Sequence, residues 1–156
     1  MHYHSSMNEV TGDTTQICDA YGLIQALMHA GKYTELQLDA ALARTGLSAA
    51  KWNALRHLMD AEGQLPLGQL ATKLSCVKSN ATQLVDRLEA EQLVCRLPDP
   101  DDRRSIRAEI TIAGRNAYAA GEQAVRNFEQ QLLADYSPSE RLMLNRLLAR
   151  LSGGDR

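Results

Sequence analysis

The sequence predicts a mainly α-helical fold with one small β-hairpin, and two observations indicate this class. Over most of the chain, apolar residues recur every three to four positions, which is the period of a helix that buries one face. Between Leu93 and Ile112 the period changes to two, as in paired strands. The composition, 44% hydrophobic and 23% charged, is typical of a globular protein. No apolar run approaches the roughly 18 residues of a membrane-spanning helix, so we expect no membrane partner.

The N-terminal part predicts two amphipathic helices after a disordered tail at residues 1–12. Residues 13–16 (DTTQ) have the pattern of a capping box that opens the first helix. We expect Gly31 to kink or break this helix and Gly46 to end it. Ser48 is suited to cap the second helix. That helix would turn three apolar side chains inward: Trp52, Leu55 and Met59.

Two short helices joined by a tight turn are predicted next, which is the arrangement of a helix-turn-helix. The first comes from LPLGQLATKL, with Leu70, Ala71 and Leu74 turned inward, and the small Ala71 lets the pair approach closely. The second comes from VKSNATQLVDRLEAE, whose apolar residues recur at strong helical spacing. Its predicted inner face contains Val77, Ala81, Leu84, Val85 and Leu88.

A β-hairpin follows the second of these helices. LVCRL reads as one strand, and alternating apolar residues form the other: Ile106, Ala108, Ile110 and Ile112. The segment PDPDDRRS between them is a loop stiffened by Pro98 and Pro100, with Arg103 and Arg104 near its tip. A helix-turn-helix followed at once by a hairpin is the order of elements in a winged helix, and the hairpin is then the wing.

Two further helices are predicted at the C-terminal end. Thr111 can cap a helix over about residues 112–135, and residues 137–140 (SPSE) form a capping box with proline at the first helical position. The last helix carries an apolar stripe: Leu144, Leu147, Leu148 and Leu151. Long terminal helices of this kind would expose their stripes in a monomer, so burial against a second copy is expected, although part of each stripe can instead pack within the chain.

The charge distribution permits DNA binding without requiring it. The formal net charge is −2, but no acidic residue occurs between Gly63 and Val85. Residues 73–107 carry seven basic and six acidic side chains, a net of +1, whereas the remainder carries ten and thirteen, a net of −3. Arginines at a hairpin tip can enter a narrow minor groove, where negative potential is concentrated. The alternative is a solvated loop whose charges only aid solubility.

From Leu42 to about Gly114, and most closely from Leu70, the sequence resembles the MarR family of winged-helix transcription regulators. The matching segments are GLSAAKWNALRHL, LATKL, LVDRLEAEQLVCR, DPDDRRS and EITIAGR. This resemblance implies an obligate homodimer that binds a pseudo-palindromic operator in double-stranded DNA, commonly as a repressor. It also implies three regions: an N-terminal dimerisation helix region at 13–46, a winged helix-turn-helix DNA-binding domain at 47–111, and C-terminal dimerisation helices at 112–152.

The resemblance places the recognition helix at residues 77–91. Its implied DNA-facing residues are Lys78, Ser79, Asn80, Thr82 and Gln83. Their chemistry suits a major groove, since amides bind adenine edges and lysine binds phosphate or guanine. Arg103 and Arg104 match the wing arginines, and Asp102 matches the acid that orients them. Asp86 and Arg87 are expected off the groove-facing side, in a structural salt bridge.

The turn departs from the family pattern, which usually has glycine and leucine where this chain has Ser75 and Cys76. Either Ser75 caps the recognition helix, or that helix starts later, near Ser79.

Two kinds of switch are compatible with the sequence. Family members often bind small aromatic or phenolic ligands, and the candidate cleft residues are Tyr21, His29, Trp52, Arg56 and His57. Alternatively, the regulator is redox-sensing. Cys76 lies near a helix N-terminus beside Lys78, which favours thiolate, and Cys18 lies where some relatives carry a sensing cysteine. Each of these residues can also be purely structural, and Cys95 is expected in the core.

Other classes of protein fit less well. The sequence contains no HExxH, phosphate loop, CxxC or nucleophile motif, so we expect no enzyme, no cofactor and no metal site. A winged-helix protein-interaction module that does not bind DNA is the remaining alternative, but it would need neither an acid-free helix start nor an arginine wing. Three cysteines without metal-ligand spacing favour a reduced, cytoplasmic setting.

Overall fold

The computed structural model describes residues 20–100, 102 and 104–153, and only the backbone of residues 20 and 21. The chain divides into two compact units between Leu36 and Gln37. The elements in chain order are α1 (Ala20–Leu42), a 3₁₀ turn (Ala43–Thr45), α2 (Ala49–Asp60), β1 (Gln64–Pro66), α3 (Leu67–Lys73), α4 (Lys78–Ala90), β2 (Val94–Pro98), β3 (Ile106–Ile110), α5 (Ile112–Leu132) and α6 (Pro138–Leu151). The mainly helical class with a hairpin wing is confirmed. The tail at 1–12, the capping box at 13–16, Cys18 and Arg103 lie outside the described residues.

The first two helices correct one prediction and confirm two. Helix α1 continues through Gly31, so the expected break there is wrong. One glycine costs a helix only about 1 kcal/mol relative to alanine, which a 23-residue helix can absorb. Gly46 ends the following 3₁₀ turn with φ +76°, a left-handed conformation that glycine adopts without strain. Ser48 Oγ then caps α2 by accepting a hydrogen bond from Lys51 N at 3.3 Å.

The hydrophobic core lies between α2, α3, α4 and the sheet. Its buried members are Leu47, Ala54, Leu55, Leu58, Leu65, Leu67, Leu70, Val85, Leu88, Val94, Ala108 and Ile110. Trp52 and Met59 of α2 are partly buried and pack against it. The helix-turn-helix and the wing are thus built on one common core.

The sheet has three antiparallel strands in the order β1-β3-β2, where the sequence predicted only two. In the hairpin Val94 pairs with Ile110 and Arg96 pairs with Ala108, while β1 adds the buried pair Leu65 and Ala108. The predicted second strand was one alternation too long, because Ile112 is 80% exposed and begins α5. The strand ends where the Thr111 side chain caps α5, accepting from Gly114 N at 3.0 Å.

Helix α4 starts at Lys78, with Val77 in the capping position. Val77 is 63% exposed, so its predicted place on the inner face is wrong. Ser75 has φ +51°, and no side chain caps α4, so Ser75 is not its cap. The start at Lys78 instead agrees with the second alternative, a later start near Ser79.

Cys95 of β2 is not a core residue. It pairs with Glu109 and is half-buried, and its Sγ lies 3.8 Å from the Glu109 carboxylate. The core-facing positions of the hairpin are the neighbouring ones in the alternation, Val94, Ala108 and Ile110.

The last helix begins as predicted. Ser137 and Glu140 form a reciprocal capping box, and Pro138 occupies the first helical position. Arg141 joins the two C-terminal helices by donating hydrogen bonds to the carbonyls of Leu133 (2.6 Å) and Tyr136 (3.0 Å). Among the described residues, no helix is long and apolar enough to cross a membrane.

Candidate nucleic-acid interface

The polar side chains of α4 lie opposite its buried ones. Ala81, Val85 and Leu88 fix the inner face, and that leaves Lys78, Ser79, Asn80 and Gln83 exposed. Thr82 differs from its neighbours: it is half-buried, and its hydroxyl donates to the carbonyl of Lys78 at 2.9 Å. The exposed set forms a patch of hydrogen-bonding groups at the start of the helix.

The wing loop is shaped by hydrogen bonds to its backbone. The Asp102 carboxylate accepts from Arg104 N at 2.9 Å, and the Asp102 carbonyl accepts from Ser105 N at 2.8 Å. Asp99 N in turn donates to the Ser105 carbonyl at 3.0 Å. Arg104 is exposed beyond this ordered base. Asp102 was predicted to orient the wing arginines. It contacts the backbone N–H of Arg104, and this hydrogen bond fixes the path of the loop.

A buried ion pair supports the base of the wing. Asp99 is only 6% exposed, and its carboxylate lies 3.1 Å from Arg107 Nε on β3. A charge in this position is stable only when paired. Sequence reasoning missed this pair, because Asp99 looked like one of several loop acids.

Arg96 connects the wing to α4 and was also missed. Its guanidinium lies 2.6 Å from the Asp86 carboxylate and 2.7 Å from that of Glu89, and it donates to the Thr82 carbonyl at 3.3 Å. The predicted salt bridge of Asp86 is thus confirmed, with Arg96 as the partner, while Arg87 is exposed. The signal was present in LVCRL, where alternation puts Arg96 on the same face as Val94.

A small cleft of about 250 Å³ lies between the helix-turn-helix and the wing. It is lined by Gly68 of α3, Lys78 of α4, and Asp102, Arg104 and Ile106 of the hairpin, among others. Two cationic side chains from different elements therefore border one concave surface. Such a surface suits a phosphate group, since phosphate contacts supply most of the affinity for DNA.

Comparison with known proteins identifies the fold and family. The sequence profile described as the MarR family matches residues 47–106. The uncharacterised HTH-type transcriptional regulator YxaD of Bacillus subtilis is 31% identical over 116 residues, which cover 74% of this chain and 80% of that protein. The chain belongs to the MarR family. It is accordingly a transcriptional regulator with a winged-helix DNA-binding fold, and not an enzyme.

Solved structures of MarR proteins agree with this assignment. A probable transcriptional regulator from Pseudomonas aeruginosa is 31% identical, with a TM-score of 0.71, and the match covers 83% of this chain and 98% of that one. A mutant MarR from E. coli, crystallised with operator DNA, is 25% identical with a TM-score of 0.77, over 85% of this chain and 98% of that one.

Five residues were predicted to line an effector cleft in this MarR protein, and three of them lie together: Trp52, Arg56 and His57. Trp52 stacks on Tyr118 with ring centroids 6.1 Å apart, and the Arg56 guanidinium lies 6.0 Å from the Trp52 ring. Arg56 Nη2 is 3.4 Å from His57 Nε2. Tyr118 was not predicted, because its spacing on α5 gave no sign of contact with α2.

The other two candidates belong to the N-terminal unit. His29 is exposed on α1, and the Tyr21 side chain lies outside the described residues.

Two groups of this cluster have unusual surroundings, the imidazole of His57 and the indole N–H of Trp52. Burial lowers the pKa of His57, and the nearby charges of Arg56 and Lys73 lower it further, so this histidine favours its neutral form. The buried Trp52 Nε1 has no hydrogen-bond acceptor in the described part of the chain.

The cysteines differ in their surroundings. Cys76 is a half-buried free thiol in the turn before α4, and its N–H donates to the Ala71 carbonyl at 3.1 Å. Burial and the Glu109 carboxylate raise the pKa of the Cys95 thiol, which favours its protonated form. A redox role of Cys76 or Cys18 stays a prediction. In the part of the chain that is described, no group of three or more His, Cys, Asp or Glu side chains could hold a metal ion.

Proposed function

We propose that this MarR-family regulator is a cytoplasmic homodimer that binds a pseudo-palindromic operator and represses transcription until a small aromatic or phenolic ligand releases it. In this proposal residues 47–111 bind DNA, and the helices within 13–46 and 112–152 form the dimer. Each chain contributes one α4 and one wing. Two-fold symmetry then presents two recognition helices about 34 Å apart, one turn of duplex.

The observation that carries the proposal is the exposed polar start of α4 beside a wing that carries two adjacent arginines. Ser79, Asn80 and Gln83 are free to meet base edges in the major groove, and Lys78 lies where it can bind phosphate. Arg103 and Arg104 then enter the neighbouring minor groove. Thr82 has a lesser part, because its hydroxyl already bonds within the helix.

The exposed apolar faces support dimerisation. Six apolar side chains of α6 are between 41% and 66% exposed in the single chain: Leu142, Met143, Leu144, Leu147, Leu148 and Leu151. An open cavity of about 730 Å³ between α5 and α6 borders several of them. Apolar surface contributes roughly 25 cal/mol per Å² when it is removed from water, so a second copy of the chain is the natural cover.

The cluster around Trp52 supports an aromatic effector. Its rings can stack on a ligand, and Arg56 can pair with an ionised phenol or carboxylate. Because α2 carries the cluster and also packs in the core beneath α4, a ligand that prefers one arrangement of α2 and α5 would change the spacing of the recognition helices.

The wing arginines give the most direct test. We expect Arg103→Ala combined with Arg104→Ala to weaken operator binding by about 100-fold or more and to lower the slope of affinity against salt, since two cations leave the DNA. Fluorescence anisotropy with a genome-selected operator measures both quantities. Arg44→Ala combined with Arg87→Ala removes the same charge from exposed positions of the 3₁₀ turn and of α4, and should have little effect. Equal losses in both pairs would overturn the wing assignment.

A further inference from the structure

Arg96 joins the recognition helix to the wing by contacts that converge from one edge of α4. Its acceptors are the Thr82 carbonyl and the carboxylates of Asp86 and Glu89, at intervals of four and three residues along the helix. The backbone N–H of Arg96 also donates to Glu89 at 3.2 Å. Residues at these intervals lie above one another on one side of a helix. A single side chain of β2 thus holds more than one turn of α4.

These contacts fix the rotation of α4 relative to β2, which the apolar contacts of the core do not. Val85, Leu88 and Val94 hold α4 against the sheet, but apolar contact has no preferred direction and permits small rotations of the helix. A guanidinium is planar, and its donors have a fixed geometry. With three acceptors engaged, and the Arg96 side chain only 22% exposed, rotation of α4 or its displacement along β2 would break hydrogen bonds.

We infer that Arg96 is a positioning residue for operator recognition: it fixes the rotation of α4 relative to the wing, so that the base-reading side chains and the wing arginines reach their grooves together. The inference rests on the proposed function, because it assumes that α4 and the wing bind one duplex. Arg96 itself need not touch DNA. It acts through Asp86, Glu89 and the backbone of Thr82.

Two variants separate positioning from simple charge. Arg96→Met removes the guanidinium and keeps the apolar stem. Asp86→Ala combined with Glu89→Ala keeps Arg96 and removes two of its partners. That second change takes two negative charges away from the DNA-facing domain, so electrostatics alone would tighten binding to any duplex. If Arg96 positions α4, this variant should instead bind the operator more weakly than the unaltered chain does.

The test measures affinity for the operator and for a scrambled duplex of equal length. For both variants we expect the operator-to-scrambled affinity ratio to fall by about tenfold or more, the size of one lost base contact. Lys51→Met is the matched control, because it breaks the ion pair of Lys51 on α2 with Glu91, the residue that follows α4, but leaves the link to the wing intact. Its ratio should stay within about twofold of the unaltered chain.

The results that would contradict this inference differ from the result that would contradict the proposed function. If the operator-to-scrambled affinity ratio of Asp86→Ala with Glu89→Ala equals that of the unaltered chain, or if Lys51→Met lowers the ratio equally, Arg96 has no positioning role. Thermal unfolding of each variant verifies folding, and the Asp86 and Glu89 variant keeps the inference testable even if Arg96→Met does not fold. Failure of the unaltered chain to bind any duplex would instead overturn the proposed function.

Discussion

Gly114 determines how closely α5 approaches the hairpin. A Cβ atom at this position would lie 2.0 Å from the Leu93 carbonyl oxygen and 2.8 Å from Ile110 Cγ1. The first of these neighbours is backbone, which cannot move aside without displacing the strand. The absence of one side chain therefore sets the contact between the wing and the helix that follows it.

We expect Gly114→Ala to lower the free energy of unfolding by about 1–3 kcal/mol or more, as in other overpacked sites. Urea denaturation at fixed protein concentration measures the change. Gly68→Ala in α3 is the control, since a Cβ there meets nothing within 4 Å and should leave stability unchanged or slightly raised. An unaffected Gly114→Ala would mean that α5 packs less closely than described.

His57 makes stability depend on pH. Its pKa in the folded chain lies below the ordinary value of 6.5, because of burial first and the charges of Arg56 and Lys73 next. The unfolded chain therefore binds the proton more readily, and lowering the pH below that ordinary value favours unfolding. The contribution of neutral His57 is complete above this value and is lost as the pH falls.

We expect the thermal midpoint of the unaltered chain to drop more than that of His57→Gln when the pH falls from about 7.5 to about 5.5. Parallel melts at the two pH values give the comparison, and groups common to both chains cancel. Equal drops would show that His57 ionises as easily in the folded chain as in the unfolded one.

At the scale of elements, α4 lacks the side-chain cap that α2, α5 and α6 have. Val77 occupies the capping position with φ −69° and ψ 150°, the backbone geometry of a cap, but no side chain accepts the free N–H groups. Thr111 and Ser137 perform this task for α5 and α6. The start of α4 therefore lacks a hydrogen bond that stabilises the start of α5 and of α6.

Val77→Ser should stabilise the protein by about 1 kcal/mol, because its hydroxyl can accept from the start of α4. Chemical denaturation measures the gain, and Val77→Ala should give none, since alanine cannot cap. A serine variant no more stable than the alanine variant would contradict the geometry of this turn.

Much of the architecture could be predicted from local patterns. The caps at Ser48, Thr111 and Ser137 and the inner face of α3 followed from residue type and spacing. For α2 the prediction was correct only in part, because Leu55 is buried but Trp52 and Met59 are half-buried. Strand β1 could not be predicted, because three residues show no alternation and the strand exists only through its pairing with β3. Periodicity also placed Val77 inward, although the core ends before it.

For the candidate site, the sequence indicated the residues that lie in one continuous segment but not the contacts between distant segments. Motif resemblance indicated Lys78, Gln83 and the wing arginines, since such residues belong to one continuous segment. The contacts of Arg96 and the stacking of Trp52 on Tyr118 join residues far apart in sequence, so no local pattern contains them. Tertiary contacts of this kind require the structure.

At the scale of the whole molecule, α6 offers a test of dimerisation. Leu144→Glu combined with Leu147→Glu places two charges in its exposed apolar face. We expect this variant to sediment as a monomer and to bind the operator about 100-fold or more weakly, because one recognition helix then acts alone. Arg146→Gln combined with Arg150→Gln changes the net charge of α6 by the same two units without interrupting the apolar stripe, and serves as the control. If the Leu144 and Leu147 variant remained a dimer, the dimer interface would have to lie elsewhere on the chain.

The central claim is that two copies of the unit formed by α4 and the wing bind one duplex. Sedimentation velocity of the unaltered chain with a fluorescent, genome-selected operator tests it directly, because the mass of the complex gives its stoichiometry. We predict two chains per duplex at low ionic strength, with dissociation as salt is raised. A single chain per duplex, or no complex at micromolar protein, would contradict the account.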